Sequence, residues 1–119
     1  MVINLDYKKR EAIYEQIVSE VERYVSLGVL KPNEKIPSVR TMALDLGINP
    51  NTVKKAYDIL EDRGVIVTLS TKGTFISDKI DKVRKAKEKE LLNKINNLIK
   101  ELEKFGLSKG EILDRLKSV

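Results

Sequence analysis

Ser38–Gly64 reads SVRTMALDLGINPNTVKKAYDILEDRG, and its spacing predicts two short helices that meet at Gly47-Ile48. Asn49 and Pro50 open the second helix. An Asn side chain accepts from an orphan amide of the first turn, and Pro suits the first helical position, where a missing N–H costs nothing. Val53, Ala56, Tyr57 and Leu60 recur at helical spacing and mark a buried stripe. Asn51 and Lys55 stand on the opposite face, flanked by Thr52 and Lys54. A polar, cationic first turn and a half above an apolar stripe suits a helix that enters a DNA groove. In the helix before it, Ser38 is the N-cap, Val39, Met42, Ala43 and Leu46 face inward, and Arg40, Thr41 and Asp45 face out. The tight junction Leu46-Gly47-Ile48-Asn49 is what a helix-turn-helix requires.

Working outward, Lys9–Leu27 reads as a helix with Ile13, Ile17, Val21 and Tyr24 on its apolar stripe, closed by a left-handed turn at Gly28. Met1–Tyr7 is an arm or an edge segment. Leu30–Pro37 is a connector in which Asn33 suits a left-handed turn. After Gly64, Val65–Leu69 is β-branched and reads as a strand, Ser70–Gly73 as a hairpin turn and Thr74–Ser77 as the return strand. Three helices and a two-stranded β-hairpin make a mainly α, winged helix-turn-helix domain over residues 1–77. From Asp78 to Lys104 the chain lacks Pro and Gly and predicts one long helix, the start of a helical C-terminal arm over 78–119. Leu91, Ile95, Leu98, Leu102 and Phe105 alternate at four and three, with Leu92 and Ile99 beside them. That is a seam of about two heptads. Gly106 breaks the helix, Ser108–Glu111 has the spacing of a capping box, and a last short helix carries Ile112, Leu113 and Leu116.

The 119 residues carry 23 Lys and Arg against 18 Asp and Glu, a formal net charge of +5. That balance favours a nucleic acid or another anionic partner. There is no Cys and no His, so disulfides, thiolate metal sites and the commonest catalytic base are excluded. The sequence calls for no cofactor and no metal, and no site of enzymatic type is visible. No apolar run approaches the roughly 20 residues of a membrane span, and the first residues have no signal-peptide pattern, so no membrane partner is implied and the cytoplasm is the expected compartment.

Several fragments now line up. Ile13-Tyr14-Glu15-Gln16-Ile17 is followed by Gly28-Val29-Leu30-Lys31-Pro32 and Ile36-Pro37-Ser38-Val39-Arg40. Asn51-Thr52-Val53, Ala56-Tyr57, Leu60-Glu61, Gly64 and Lys72-Gly73-Thr74-Phe75 complete the set. In this order and spacing the chain resembles the GntR family of bacterial transcription regulators, and Gly47–Val53 with the short C-terminal region is similar to its YtrA-type branch. The resemblance implies a dimeric winged-helix protein that binds an operator, usually represses, and often controls operons for ABC transporters. It departs from the family at Ala12, where Pro is frequent, at Asn33 and Thr71, where Gly is common, and at Pro50, where many members carry Arg.

Two helix N-termini, at Ser38 and Asn49, offer oriented amides to phosphate. Arg40, which the resemblance sets on DNA, could alternatively pair with Asp45. Thr41, Asn51, Thr52, Lys54 and Lys55 are the other candidate contacts from the two helices. Lys72, Gly73 and Thr74 are those of the wing. Asp58 and Asp62 would repel phosphate, so only the N-terminal half of the reading helix should enter the groove. Tyr14, Tyr57 and Phe75 fall on apolar stripes and read as core. The expected dimer surface is Leu91, Leu92, Ile95, Leu98, Ile99, Leu102 and Phe105 with Ile112, Leu113 and Leu116; an intramolecular helical hairpin is the alternative. The expected partners are double-stranded operator DNA and a second copy of the chain, with no effector identified. A winged helix serving only as a protein-interaction module remains the rival reading.

Overall fold

The structure, a computed structural model, describes residues 1–119. Its elements run α1 (Ile13–Ser26), β1 (Lys35–Ile36), α2 (Val39–Leu46), α3 (Pro50–Asp62), β2 (Ile66–Leu69), β3 (Gly73–Ile76), α4 (Ile80–Lys104) and α5 (Lys109–Lys117). The chain divides into two compact units, Met1–Arg84 and Lys85–Val119, and the boundary falls inside α4.

The first unit is built around α3. Its buried stripe of Val53, Ala56, Tyr57 and Leu60 packs against both α1 and α2. From α1 come Ile17, Val18, Val21 and Val25, from α2 Met42 and Ala43, and from the sheet Ile36, Ile66 and Ile76. Each large aliphatic side chain removed from water contributes roughly 1.5–3 kcal/mol. The stripe therefore fixes the rotation of α3 about its own axis.

The caps follow the sequence. Ser38 Oγ accepts from the Thr41 amide and Asn49 Oδ1 from the Asn51 amide, with Pro50 in the first turn. Between the helices Gly47 sits at φ +66, the left-handed conformation that glycine adopts without a Cβ penalty. Its amide donates to Leu44, and the Ile48 amide reaches back to the Ala43 carbonyl at 3.0 Å. Tyr57 then fastens the motif: its hydroxyl donates to the Pro37 carbonyl at 2.7 Å, tying α3 to the start of α2.

Two expectations need correction. The expected hairpin of β2 and β3 is present, but a third strand joins it in an antiparallel sheet of order β1-β3-β2. Lys35 and Ile36 pair with Phe75 and Thr74. Two residues are too few to show a period, so β1 was invisible as a strand. The first helix starts at Ile13 rather than Lys9. Residues ahead of it form a turn held by the Gln16 side chain, which bonds the Asp6 amide and the Asp6 and Glu11 carbonyls. The N-terminal arm makes no strand, yet Ile3 is buried in the core.

At the wing tip the Lys72 amide donates to the Leu69 carbonyl, and Thr71 takes φ +67. A β-branched residue is strained there, which explains why glycine would suit that position.

In the second unit, Ser108 and Glu111 form the expected capping box at the start of α5. On α4, hydrogen bonding from Lys94, helped by Lys87, holds the exposed Glu90 carboxyl below its ordinary pKa. Only Ile112 of this unit is buried. No helix of the structure is long and apolar enough to cross a membrane.

Burial raises the Tyr57 phenol above its ordinary pKa. Folding thus favours its neutral form, and that contribution is whole below about pH 10 and lost as pH climbs beyond it. Tyr57→Phe should lower the unfolding free energy by about 1 kcal/mol at neutral pH, seen as a lower urea midpoint at unchanged slope. It should also flatten the decline of stability above about pH 10.

Candidate nucleic-acid interface

Because the α3 stripe faces the core, Asn51, Lys54 and Lys55 are turned to solvent and Thr52 is half-buried. Neither α2 nor α3 has an acidic residue in its first turn. By contrast α1, α4 and α5 carry Glu15, Asp81 and Glu111 there. The two helix-turn-helix N-termini therefore keep their partial positive charge unopposed by a local carboxylate.

Arg40, in the first turn of α2, is exposed. It makes no ion pair with Asp45 or with any other carboxylate of the chain. Its planar fork is free for phosphate or a guanine edge. The two lysines of α3 are less free. Lys54 Nζ lies 3.1 Å from Asp58 Oδ2, one turn on. Lys55 Nζ stands 3.9 Å from the centre of the Tyr14 ring on α1. Both arrangements are solvent-exposed and weak enough to be exchanged for a phosphate.

Three candidate contacts already have local work. Ser38 and Asn49 are caps, and Thr41 Oγ1 accepts from Ser38 Oγ at 3.1 Å. Of the aromatics, Tyr57 is buried, whereas Tyr14 and Phe75 are half-buried.

In the wing, Lys72 is exposed and Gly73 takes φ +121. Thr74, however, is only 6% exposed, on the same face of β3 as the buried Ile76. Its side chain is turned inward, against the expectation that it would contact DNA. Alternation along Thr74-Phe75-Ile76 carries that signal in the sequence. The structure also brings in Lys35, which sequence reasoning missed. Its Cε lies 2.8 Å from where a Cβ on Gly73 would be, so the lysine stem crosses the glycine and adds a second cation near Lys72. Only the β1–β3 pairing reveals this.

In the second unit the expected dimer residues divide. Ile112 is buried and Ile99 half-buried. Leu91, Leu92, Ile95, Leu98, Leu102, Leu113 and Leu116 are exposed, and Phe105 is 85% exposed.

Residues 13–76 match the family model described as "Bacterial regulatory proteins, gntR family". The chain is 32% identical to the uncharacterized HTH-type transcriptional regulator YhcF of Bacillus subtilis, over 94% of this chain and 93% of that protein. It is 44% identical to the HTH-type transcriptional repressor YtrA of the same organism, over 65% of this chain and 59% of the repressor. A crystal structure of a transcriptional regulator from Oenococcus oeni superposes with a TM-score of 0.71 at 36% identity, covering 96% of this chain and 95% of that one. These relatives are regulators, not enzymes.

The cap at Asn49 and the proposed groove contact of Asn51 can be separated. Asn49→Ala should cost about 1 kcal/mol of stability, and Asn49→Gly only a few tenths, by thermal or urea unfolding. Asn51→Ala should leave the melting temperature nearly unchanged, since its side chain makes no bond within the chain. Equal losses at both sites would contradict this division.

Proposed function

We propose that this chain, which belongs to the GntR family of bacterial regulatory proteins and is a DNA-binding transcription regulator, is a dimeric repressor of an operon that binds a palindromic operator. The observation that carries the reading is the outward face of α3. Amide and cationic side chains occupy its first two turns, no carboxylate lies in the first of them, Lys54 meets only the exposed Asp58 one turn on, and unpaired Arg40 stands in the first turn of α2. Asp58 and Asp62 lie at the C-terminal half of the helix, so the N-terminal half enters the major groove.

In this proposal Asn51 and Thr52 reach base edges, and Arg40, Lys54 and Lys55 meet phosphate or guanine. Lys72, with Lys35 beside Gly73, follows the sugar-phosphate rail. The amides at Ser38 and Asn49 add fixed partial charge. The resemblance to YtrA supports repression and makes an ABC transporter operon the first target to test. The protein works in the cytoplasm, where its DNA is.

Self-association rests on the second unit. A row of large apolar side chains stands open along α4 and α5 of a single copy, on a unit with one buried residue of its own. Exposed apolar surface of this kind marks an interface, and a two-fold dimer matches a two-fold operator. A dimer also reads two half-sites and so multiplies specificity.

Mobility shifts on the DNA upstream of the chain's own coding sequence test the reading. A two-fold symmetric footprint and a steep fall of affinity with salt are expected. Lys54→Ala with Lys55→Ala should flatten the salt slope, as should Arg40→Ala. An unchanged slope in both would remove α3 from the interface. For the dimer, Leu98→Asp should yield a monomer by sedimentation and reduce operator affinity at least tenfold, with the first unit still folded. A dimer that survives Leu98→Asp and Ile95→Asp together contradicts the seam.

A further inference from the structure

Lys8, Lys9 and Arg10 follow one another just ahead of α1, and all three are exposed. None of them makes an ion pair within the chain. A cationic stretch near a chain end is ordinarily a loose, solvated tail. This one is fastened. Gln16 is 6% exposed and grips the backbone on both sides of the triplet. It accepts from the Asp6 amide at 2.8 Å and donates to the Asp6 and Glu11 carbonyls at 2.9 Å each. The Lys8 amide bonds Asp6 Oδ1 at 2.9 Å, and the Lys9 amide reaches the Asp6 carbonyl at 3.3 Å. Upstream, Ile3 is buried in the core and Tyr24 donates its hydroxyl to the Val2 carbonyl.

The turn is linked to α3 through the first turn of α1. The first turn of α1, which follows it directly, carries Tyr14, and the Tyr14 ring lies under the Lys55 ammonium. The two carboxylates that flank the triplet are engaged locally. Asp6 takes the Lys8 amide, and Glu11 Oε1 accepts from Ser19 Oγ at 3.3 Å.

We infer that the Lys8–Arg10 turn is a second phosphate-binding element, which grips the DNA backbone beside the groove that α3 enters. It rests on the α3 interface proposed above. The ordering entropy that a flexible tail would lose on binding is already spent in the fold, because one buried amide holds the turn in place. Its contacts go to phosphate, so it adds affinity at any sequence and leaves discrimination to α3.

The test compares three variants of the full chain: Lys8→Gln with Lys9→Gln and Arg10→Gln; Arg40→Ala; and an equal-charge control in the second unit, Lys100→Gln with Lys104→Gln and Lys109→Gln. Each is titrated across a salt series against a short random-sequence duplex and against the upstream duplex. The turn variant should melt like the parent. Its slope of log affinity on log salt should fall by about 0.9 for each phosphate contact removed, on both duplexes, with their affinity ratio unchanged. The control should keep the parental slope. An unchanged slope in the turn variant beside a reduced slope in Arg40→Ala overturns this inference and leaves the α3 interface standing. Equal falls in the turn variant and the control overturn it too, because bulk charge then accounts for both. No change in any variant overturns the α3 interface with it.

Discussion

Burial of Val53, Ala56, Tyr57 and Leu60 against α1 and α2 is the constraint on which the rest of the first unit depends. A helix has one rotation about its axis, and four side chains in a dry core leave no freedom to choose another. Once that face is committed, the outward positions of Asn51, Lys54 and Lys55 are consequences. They are made polar by their place on the helix, and made useful by what the sequence puts there. The bond from Tyr57 to the Pro37 carbonyl extends the constraint to α2. The helix that bears Arg40 is thereby registered on the helix that bears Asn51.

Electrostatics then divides α3 along its length. Its N-terminal half has exposed amides, two lysines and no carboxylate in the first turn. Its C-terminal half has Asp58, Glu61 and Asp62. Glu61 turns back to accept from the Thr68 amide at 3.1 Å, which ties the helix to the edge of the wing. Glu61 is thus a structural seat in the acidic half, and the cationic half is an exposed surface. Lys54 is the hinge of that division. Its pairing with Asp58 is solvent-exposed, and such pairs contribute little, so a phosphate can displace the aspartate at small cost.

Much of this was legible in the residues because it is local chemistry. Ser38, Gly47, Asn49, Pro50 and the Ser108–Glu111 box declare helix ends through their own hydrogen-bonding and dihedral preferences, and each stands where its type predicts. The α3 stripe is legible for the same reason, since four side chains at helical spacing need no partner to be recognised. What was not legible is whatever depends on a distant segment. The strand of Lys35 and Ile36 exists only because β3 lies beside it, so Lys35 reached the wing unannounced. The start of α1 moved to Ile13 because Gln16 claims backbone groups as far back as Asp6. The inward turn of Thr74 was available from alternation with Ile76, but the neighbouring Lys72 and Gly73 made the whole tip read as surface.

The central claim is that the core-facing stripe leaves the N-terminal half of α3 as the face that meets DNA. Amide NMR shifts during titration with the upstream duplex address it residue by residue. The account predicts the largest shifts at Arg40, Asn51, Thr52 and Lys55, with Glu61 and Asp62 nearly still. Shifts concentrated at Glu61 and Asp62, or confined to α4 and α5, would contradict it.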